Sequence, residues 1–211
     1  FNLLVVVLFL PLLSLLGISF NLINIRVYSR RRSSAAIYLT ALSCSDVGVC
    51  AAGLLVISAD SMRAYSHSVD QLFVFVLPRT IPLGLFFQML SVYVTVLAAL
   101  DCFLSVRKPG GGLSARPLVW LVLSIAAYNV IQFWELEAVE CQLPSRNISV
   151  YELCPSDLRL SEPYVIYYKG YAYAVSMAFL PFFLLSAFTV AILYQIRRRS
   201  TRPLLQTGST F

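Results

Sequence analysis

Charge is what this chain has least of. Asp, Glu, Lys and Arg make up 12% of its 211 residues, about half the share of an ordinary soluble domain. Five cysteines (Cys44, Cys50, Cys102, Cys141 and Cys154) are too few for a disulfide-stapled miniprotein, and no pair has zinc-ligand spacing. Histidine occurs once, as His67, in a polar stretch where a surface position is expected. No nucleophile stands beside a base, no metal-ligating cluster can be picked out and no phosphate-binding glycine loop is present, so an enzyme is not expected. Internal repeats and low-complexity segments are missing too. What the chain has instead is apolar bulk: 59% hydrophobic residues and a mean hydropathy of +0.78.

That bulk falls into runs. A spanning helix needs about 20 mostly apolar residues, and five stretches reach or approach that length: Leu3–Ile25, Ile37–Ala59, Pro82–Val106, Pro117–Trp134 and Tyr171–Ile196. The fourth is the shortest. Each is followed by charge, proline, glycine or serine. The first is too long for a secretory signal and has no basic segment ahead of it. The expected fold is all-α, a membrane-spanning helical bundle of about five transmembrane helices.

The net charge of +6 could serve nucleic acid, but the cations flank apolar runs instead of lining one face. Membrane orientation is the better reading, with lipid as a partner and no nucleic acid. Arg26, Arg30, Arg31 and Arg32 follow the first run. Arg107, Lys108 and Arg116 separate the third from the fourth, and Arg197, Arg198, Arg199 and Arg202 follow the fifth. The opposite side holds only Arg63, Arg79, Arg146, Arg159 and Lys169, together with most of the acids, among them Glu135, Glu137, Glu140 and Glu152. The basic side is expected in the cytoplasm and the N-terminus outside, in a multi-pass plasma-membrane protein. The sequon Asn147-Ile148-Ser149 falls on the outer side, so Asn147 is expected to be glycosylated.

Polar groups inside apolar runs are costly and suggest function. Asp46 lies mid-way along the second run, Asn21 late in the first, and Gln88 and Ser91 in the third. Small polar residues such as Asn21 and Ser91 also simply bond neighbouring helices; an isolated carboxylate is harder to explain that way. Cys44 and Cys50 are expected to pack in the core.

The third run closes with Asp101-Cys102-Phe103-Leu104-Ser105-Val106-Arg107-Lys108-Pro109. This resembles the D-R-Y-x-x-V-x-x-P signature that ends the third helix of rhodopsin-like (class A) G-protein-coupled receptors, with Cys102 for the arginine and Phe103 for the tyrosine. Leu39-Thr40-Ala41-Leu42-Ser43-Cys44-Ser45-Asp46 resembles the family's L-x-x-L-A-x-x-D. Asn21, Trp120 and Pro181 match marker residues of the first, fourth and fifth helices. Within the family the chain is most similar to FMRFamide-type neuropeptide receptors, through Arg32-Ser33-Ser34, Ser91-Val92-Tyr93-Val94-Thr95-Val96 and Tyr128-Asn129-Val130-Ile131-Gln132-Phe133-Trp134-Glu135. The last string resembles a Y-N-x-P-R-F-F-E pattern. Srw-type nematode chemoreceptors share much of this pattern.

The resemblance implies one receptor transmembrane domain over residues 1–211, carrying helices one to five of an expected seven. The sixth and seventh, with C-W-x-P and N-P-x-x-Y, are not in the sequence, which reads as truncated after the fifth. Other departures are Phe20 in place of glycine before Asn21 and a short spacing from Asn21 to Asp46. Leu77 stands where a cysteine normally anchors the second outer loop. Cys141 and Cys154 in that loop are candidates to pair with each other instead, worth about 3 kcal/mol for so short a loop; the alternative is two free or intermolecular thiols.

By the same resemblance, Asn21, Asp46 and Ser91 imply a polar core able to hold a sodium ion, the one cofactor expected. Asp101, Cys102 and Phe103 imply the face toward a heterotrimeric G protein; a thiol cannot replace the arginine, which leaves Asp101 unpartnered at the membrane boundary. Gly84 stands where amine receptors carry aspartate, so a peptide-like extracellular ligand is the better expectation. Gln88 and Tyr173 are its candidate contacts, with Glu135 in an acidic loop suited to a basic peptide. The tyrosines from Tyr164 to Tyr168 read as an interfacial aromatic belt. A transporter or channel fragment would show midplane helix breaks in repeated halves, and none are seen; a non-signalling product is the other alternative.

Overall fold

The computed structural model describes residues 9–62, 66–108, 112–143 and 148–206. Asn147 and Pro109, named above, lie outside them. Five helical segments are long and apolar enough to cross a membrane: Leu10–Tyr28, Ser34–Ile57, His67–Arg107, Arg116–Trp134 and Tyr164–Arg199. They contain helices α1 (Leu10–Tyr28), α2 (Ser34–Met62), α3 (His67–Arg107) and α4 (Arg116–Asn129), the last prolonged by a 3-10 turn over Val130–Trp134. A short helix α5 (Asp157–Leu160) precedes the fifth span, whose lower part is α6 (Leu180–Gln206).

The fold is the all-α spanning bundle expected, with one small addition outside the spans. Strands β1 (Leu136–Leu143) and β2 (Ile148–Pro155) form an antiparallel hairpin between α4 and α5. In β1, Val139 and Cys141 alternate with Glu140 and Gln142, a strand period hidden in the sequence by its acids.

α3 is also longer than its apolar run. It has 41 residues and begins at His67, fifteen before Pro82, running through Pro78 and Pro82. At 1.5 Å per residue that is about 60 Å, twice the hydrocarbon thickness. The proline pair therefore marks no boundary, and the first turns of α3 stand beyond the apolar layer.

α3 is the central element, packing against α2, α4, α6 and the hairpin, while α1 packs on α2. Close approach depends on small residues. A Cβ on Gly48 would come within 2.4 Å of the Phe87 ring, and one on Gly17 within 2.8 Å of Cys50 Sγ. Cys50 thus packs between α1 and α2, whereas Cys44 is exposed on the bundle's outer wall.

The fifth span is wound as π-helix over Tyr164–Ala172 and again over Val175–Phe179. Pro181 has no N–H to close on Met177, so the ordinary ladder is interrupted there, and the wider turns lie just ahead of it. Such turns re-aim side chains and often mark functional segments.

Candidate functional site

The polar residues gather at three levels. At mid-bundle, Ser91 Oγ on α3 donates to Asp46 Oδ1 on α2 at 2.6 Å, joining the two helices. Asn21 is not part of this pair: its amide bonds back to Gly17 of its own helix at 3.0 Å. A short amide one turn above a glycine carbonyl finds that partner before it reaches α2.

Toward the hairpin, α2 and α3 frame a cleft of about 260 Å³ lined by Val49, Ala52, Val56, Thr80, Gly84 and Gln88. Gly84 is tight on its α2 side, where a Cβ would lie 3.1 Å from Ala52. Gln88 is exposed on the wall of this cleft. Tyr173, the other candidate ligand contact, is half-buried one turn before Ser176, whose carbonyl accepts from Tyr93 Oη at 2.8 Å. Gln88 lines this α2–α3 cleft and Tyr173 does not.

The hairpin end holds a knot that the sequence reading misassigned. Glu135 is 4% exposed. Lys169 Nζ lies 2.7 Å from its Oε1 and Arg159 Nη1 3.5 Å from its Oε2, while the Tyr164 hydroxyl donates to Oε1. Lys169 also donates to Gln132 Oε1 at 3.2 Å. The Gln132 amide passes the chain to Asn129 Oδ1 at 2.8 Å, and the Asn129 amide ends it on Ile125 O and Met89 Sδ. Glu135 is therefore committed to the joint between α4 and the fifth span and offers no free charge to a ligand. Exposed acid remains on the hairpin at Glu137, Glu140 and Glu152.

The tyrosine belt divides accordingly. Tyr164 and Tyr168 stack on each other with centroids 4.9 Å apart, and Tyr168 stacks on Tyr128 at 5.0 Å while donating to its carbonyl. Tyr167 and Tyr171, 68% and 67% exposed, form the lipid-facing part. The members of each pair are four residues apart and so share a face of the helix. Lys169 and Gln132 were not anticipated; a lone cation opening an apolar run, and an amide three residues before a glutamate, were the available signals.

The hairpin is not cross-linked to itself. Cys141 opposes Val150 and Cys154 opposes Glu137, so the thiols share a face but lie four residues apart along the ladder, and both are free. At about 3.4 Å per residue their Cα atoms are roughly 13 Å apart, well beyond the ~7 Å a disulfide tolerates. Attachment comes instead from α3. The Gln71 amide donates to Tyr151 O at 3.1 Å and its carbonyl accepts from Tyr151 N at 2.9 Å, with Phe75 packed on the Tyr151 ring at 5.1 Å. Gln71 thereby acts as a one-residue strand on the hairpin's edge. Leu77, at the anticipated anchor position, is buried.

At the arginine-rich end, Asp101 is 2% exposed. It is not unpartnered: Ser34 Oγ donates to Oδ2 at 3.0 Å and Leu113 N–H to Oδ1 at 2.7 Å. Tyr38, fully buried, donates to Ser114 O at 2.8 Å. Asp101 thus closes the α3–α4 loop onto α2 through neutral donors. Gly112 allows the approach, since a Cβ there would meet Ser34 Oγ at 2.3 Å. Cys102 points outward and is exposed, and Phe103 meets Phe188 of α6 at 6.2 Å.

No family model matches the sequence. It is 31% identical over 226 aligned residues to a Caenorhabditis elegans protein named probable G-protein coupled receptor frpr-1, covering 95% of this chain and 60% of that one. It is 27% identical over 203 residues to the FMRFamide receptor of Drosophila melanogaster, covering 89% and 36%. The chain thus spans 60% of the length of one of these relatives and 36% of the other. In structure it resembles squid rhodopsin with a TM-score of 0.54 at 11% identity, over 95% of this chain and 54% of that one. By its order of marker residues, its fold and these relatives, this multi-pass helical membrane protein is similar to class A, rhodopsin-like G-protein-coupled receptors, those named for FMRFamide among them.

Proposed function

We propose that the chain is the ligand-receiving part of a G-protein-coupled receptor for a neuropeptide, seated in the plasma membrane with its N-terminus outside. The observation that carries the reading is the 2.6 Å bond between Ser91 and Asp46, which ties α2 to α3 mid-way through the bundle. A carboxylate held there by a hydroxyl is a ready partner for a sodium ion, and an ion that favours one packing of two shifts the equilibrium between them. The α2–α3 cleft above it has apolar walls and the amide of Gln88, with no carboxylate among its lining residues. That suits a peptide's apolar side chains and amides better than a small amine. The exposed Glu137, Glu140 and Glu152 would steer a peptide bearing arginine, as the name FMRFamide describes for one relative.

The test is second-messenger output from a full-length receptor containing this segment, challenged with amidated Phe-Met-Arg-Phe-type peptides. The peptides should activate it, and Asp46→Asn should abolish any sodium dependence of their affinity. Activation by amines with no response to peptides would overturn the ligand class. Cys102 is expected to limit coupling, because a thiol offers no cation to the G protein; Cys102→Arg at matched surface expression should strengthen output. The orientation is tested separately: an endoglycosidase mobility shift should be lost in Asn147→Gln, and no shift in the unaltered chain would remove that support.

A further inference from the structure

At the arginine-rich end, α1, α2 and α4 leave between them a crevice of about 370 Å³. On the α2 side, Ala36 and Ala41 put little bulk beside Ile37 and Thr40; Tyr28 ends the α1 wall and Leu118 supplies the α4 wall. Larger residues at Ala36 or Ala41 would fill it. Its mouth is Arg31, on the α1–α2 turn fixed by Arg31 N–H donating to Tyr28 O at 2.9 Å. Arg30 and Arg32 flank it, and Arg116 opens α4 two residues before Leu118; all are exposed.

This basic mouth has no acid of its own. From Arg26 to Asp46 the sequence contains no Asp or Glu, and Arg31 makes no ion pair among the described residues. A cation at the rim of an apolar slot inside a bilayer calls for a molecule with an anionic head and an apolar tail. A sterol has no charge to meet Arg31, and a free anion has nothing to fill the slot.

We propose that this crevice is a binding site for an anionic phospholipid, its phosphate at Arg31 and one acyl chain laid along Ile37, Ala41 and Leu118. Charge complementarity selects the occupant. The proposed orientation would put the site in the cytoplasmic leaflet, and only the naming of that leaflet rests on it. One arginine at a membrane surface favours an anionic lipid about fivefold.

The whole chain is reconstituted in bilayers of equal phosphatidylglycerol and phosphatidylcholine, released into mild detergent, and its retained lipid identified by native mass spectrometry. Because these bilayers are symmetric, the result is independent of orientation. Phosphatidylglycerol should be retained about fivefold over phosphatidylcholine. Arg31→Gln should erase that bias, Arg31→Lys should keep most of it, and Arg107→Gln, at the same end but away from the crevice, should leave it intact. Ala41→Phe should lower retention of both lipids by filling the slot. Equal retention of the two lipids by the unaltered chain would overturn the proposal. So would equal losses in Arg31→Gln and Arg107→Gln, which would mean diffuse surface charge, or preferential retention of an added sterol.

Discussion

Glu135 at the hairpin end and Asp101 at the arginine-rich end are both buried acids, yet the chain handles them differently. Glu135 is met by Lys169, Arg159 and the Tyr164 hydroxyl; Asp101 is met by one hydroxyl and one backbone N–H. A buried charge paired with charge is expensive to break, because the survivor is left uncompensated. A buried charge held by neutral donors releases at the scale of ordinary hydrogen bonds. The hairpin end is therefore a fixed joint and the other end a latch.

The contrast is broken most severely at the joint. Glu135→Ala should lower stability by about 3 kcal/mol, at the bottom of the range for a broken buried pair because Lys169 and Arg159 are partly exposed. The double change Glu135→Leu with Lys169→Met should recover much of that loss. Thermal unfolding in detergent reads both, and a double variant as unstable as the single one would mean that the pairing is not what matters.

At the latch the effects should be smaller. Gly112→Ala pushes against Ser34 Oγ, and rotating that hydroxyl away forfeits its bond to Asp101, at about 1–2 kcal/mol. Asp101→Asn keeps an acceptor for Leu113 N–H and should cost about 1 kcal/mol or less. Hydrogen exchange at the Leu113 amide should rise in both and leave the joint between α4 and the fifth span untouched. If exchange at Tyr164–Tyr168 rises equally, the two ends are not independent.

The mildest test is on the hairpin. Partial desolvation, then Glu152 and Cys154, push the Cys141 thiol above its ordinary range. Less thiolate is present at neutral pH, so alkylation of Cys141 should be slow there and climb only at higher pH than for a free cysteine. Glu152→Gln should shift that rise toward lower pH. Labelling of Cys141 that tracks a free thiol at every pH would discount the local field.

What could be read in advance follows from what membranes demand. Apolar runs must be helices, so the spans and the Asp46–Ser91 level were visible; long apolar stretches have few alternatives in lipid. The ends of elements were not. α3 continues past two prolines because its first turns pack against the hairpin, a tertiary contact with no local signature. Glu135 looked like one acid of a solvated loop, since nothing in its neighbourhood announces Lys169, thirty-four residues on. Asp101 looked orphaned because its partners, Ser34 and the Leu113 amide, come from two other segments, one of them a backbone group that no side-chain motif can reveal.

The Gln71–Tyr151 attachment has a consequence for how the loop is made and how fast it moves. Two amide hydrogen bonds and a ring contact join β2 to α3, and such bonds contribute about 1 kcal/mol each. They form without an oxidant or an isomerase, so the loop should assemble equally well in a reducing cell-free extract. They also break and re-form on the timescale of loop motion, nanoseconds to microseconds, where a covalent bridge would hold for the lifetime of the protein. The hairpin can lift from α3 and settle again many times without any covalent bond being broken.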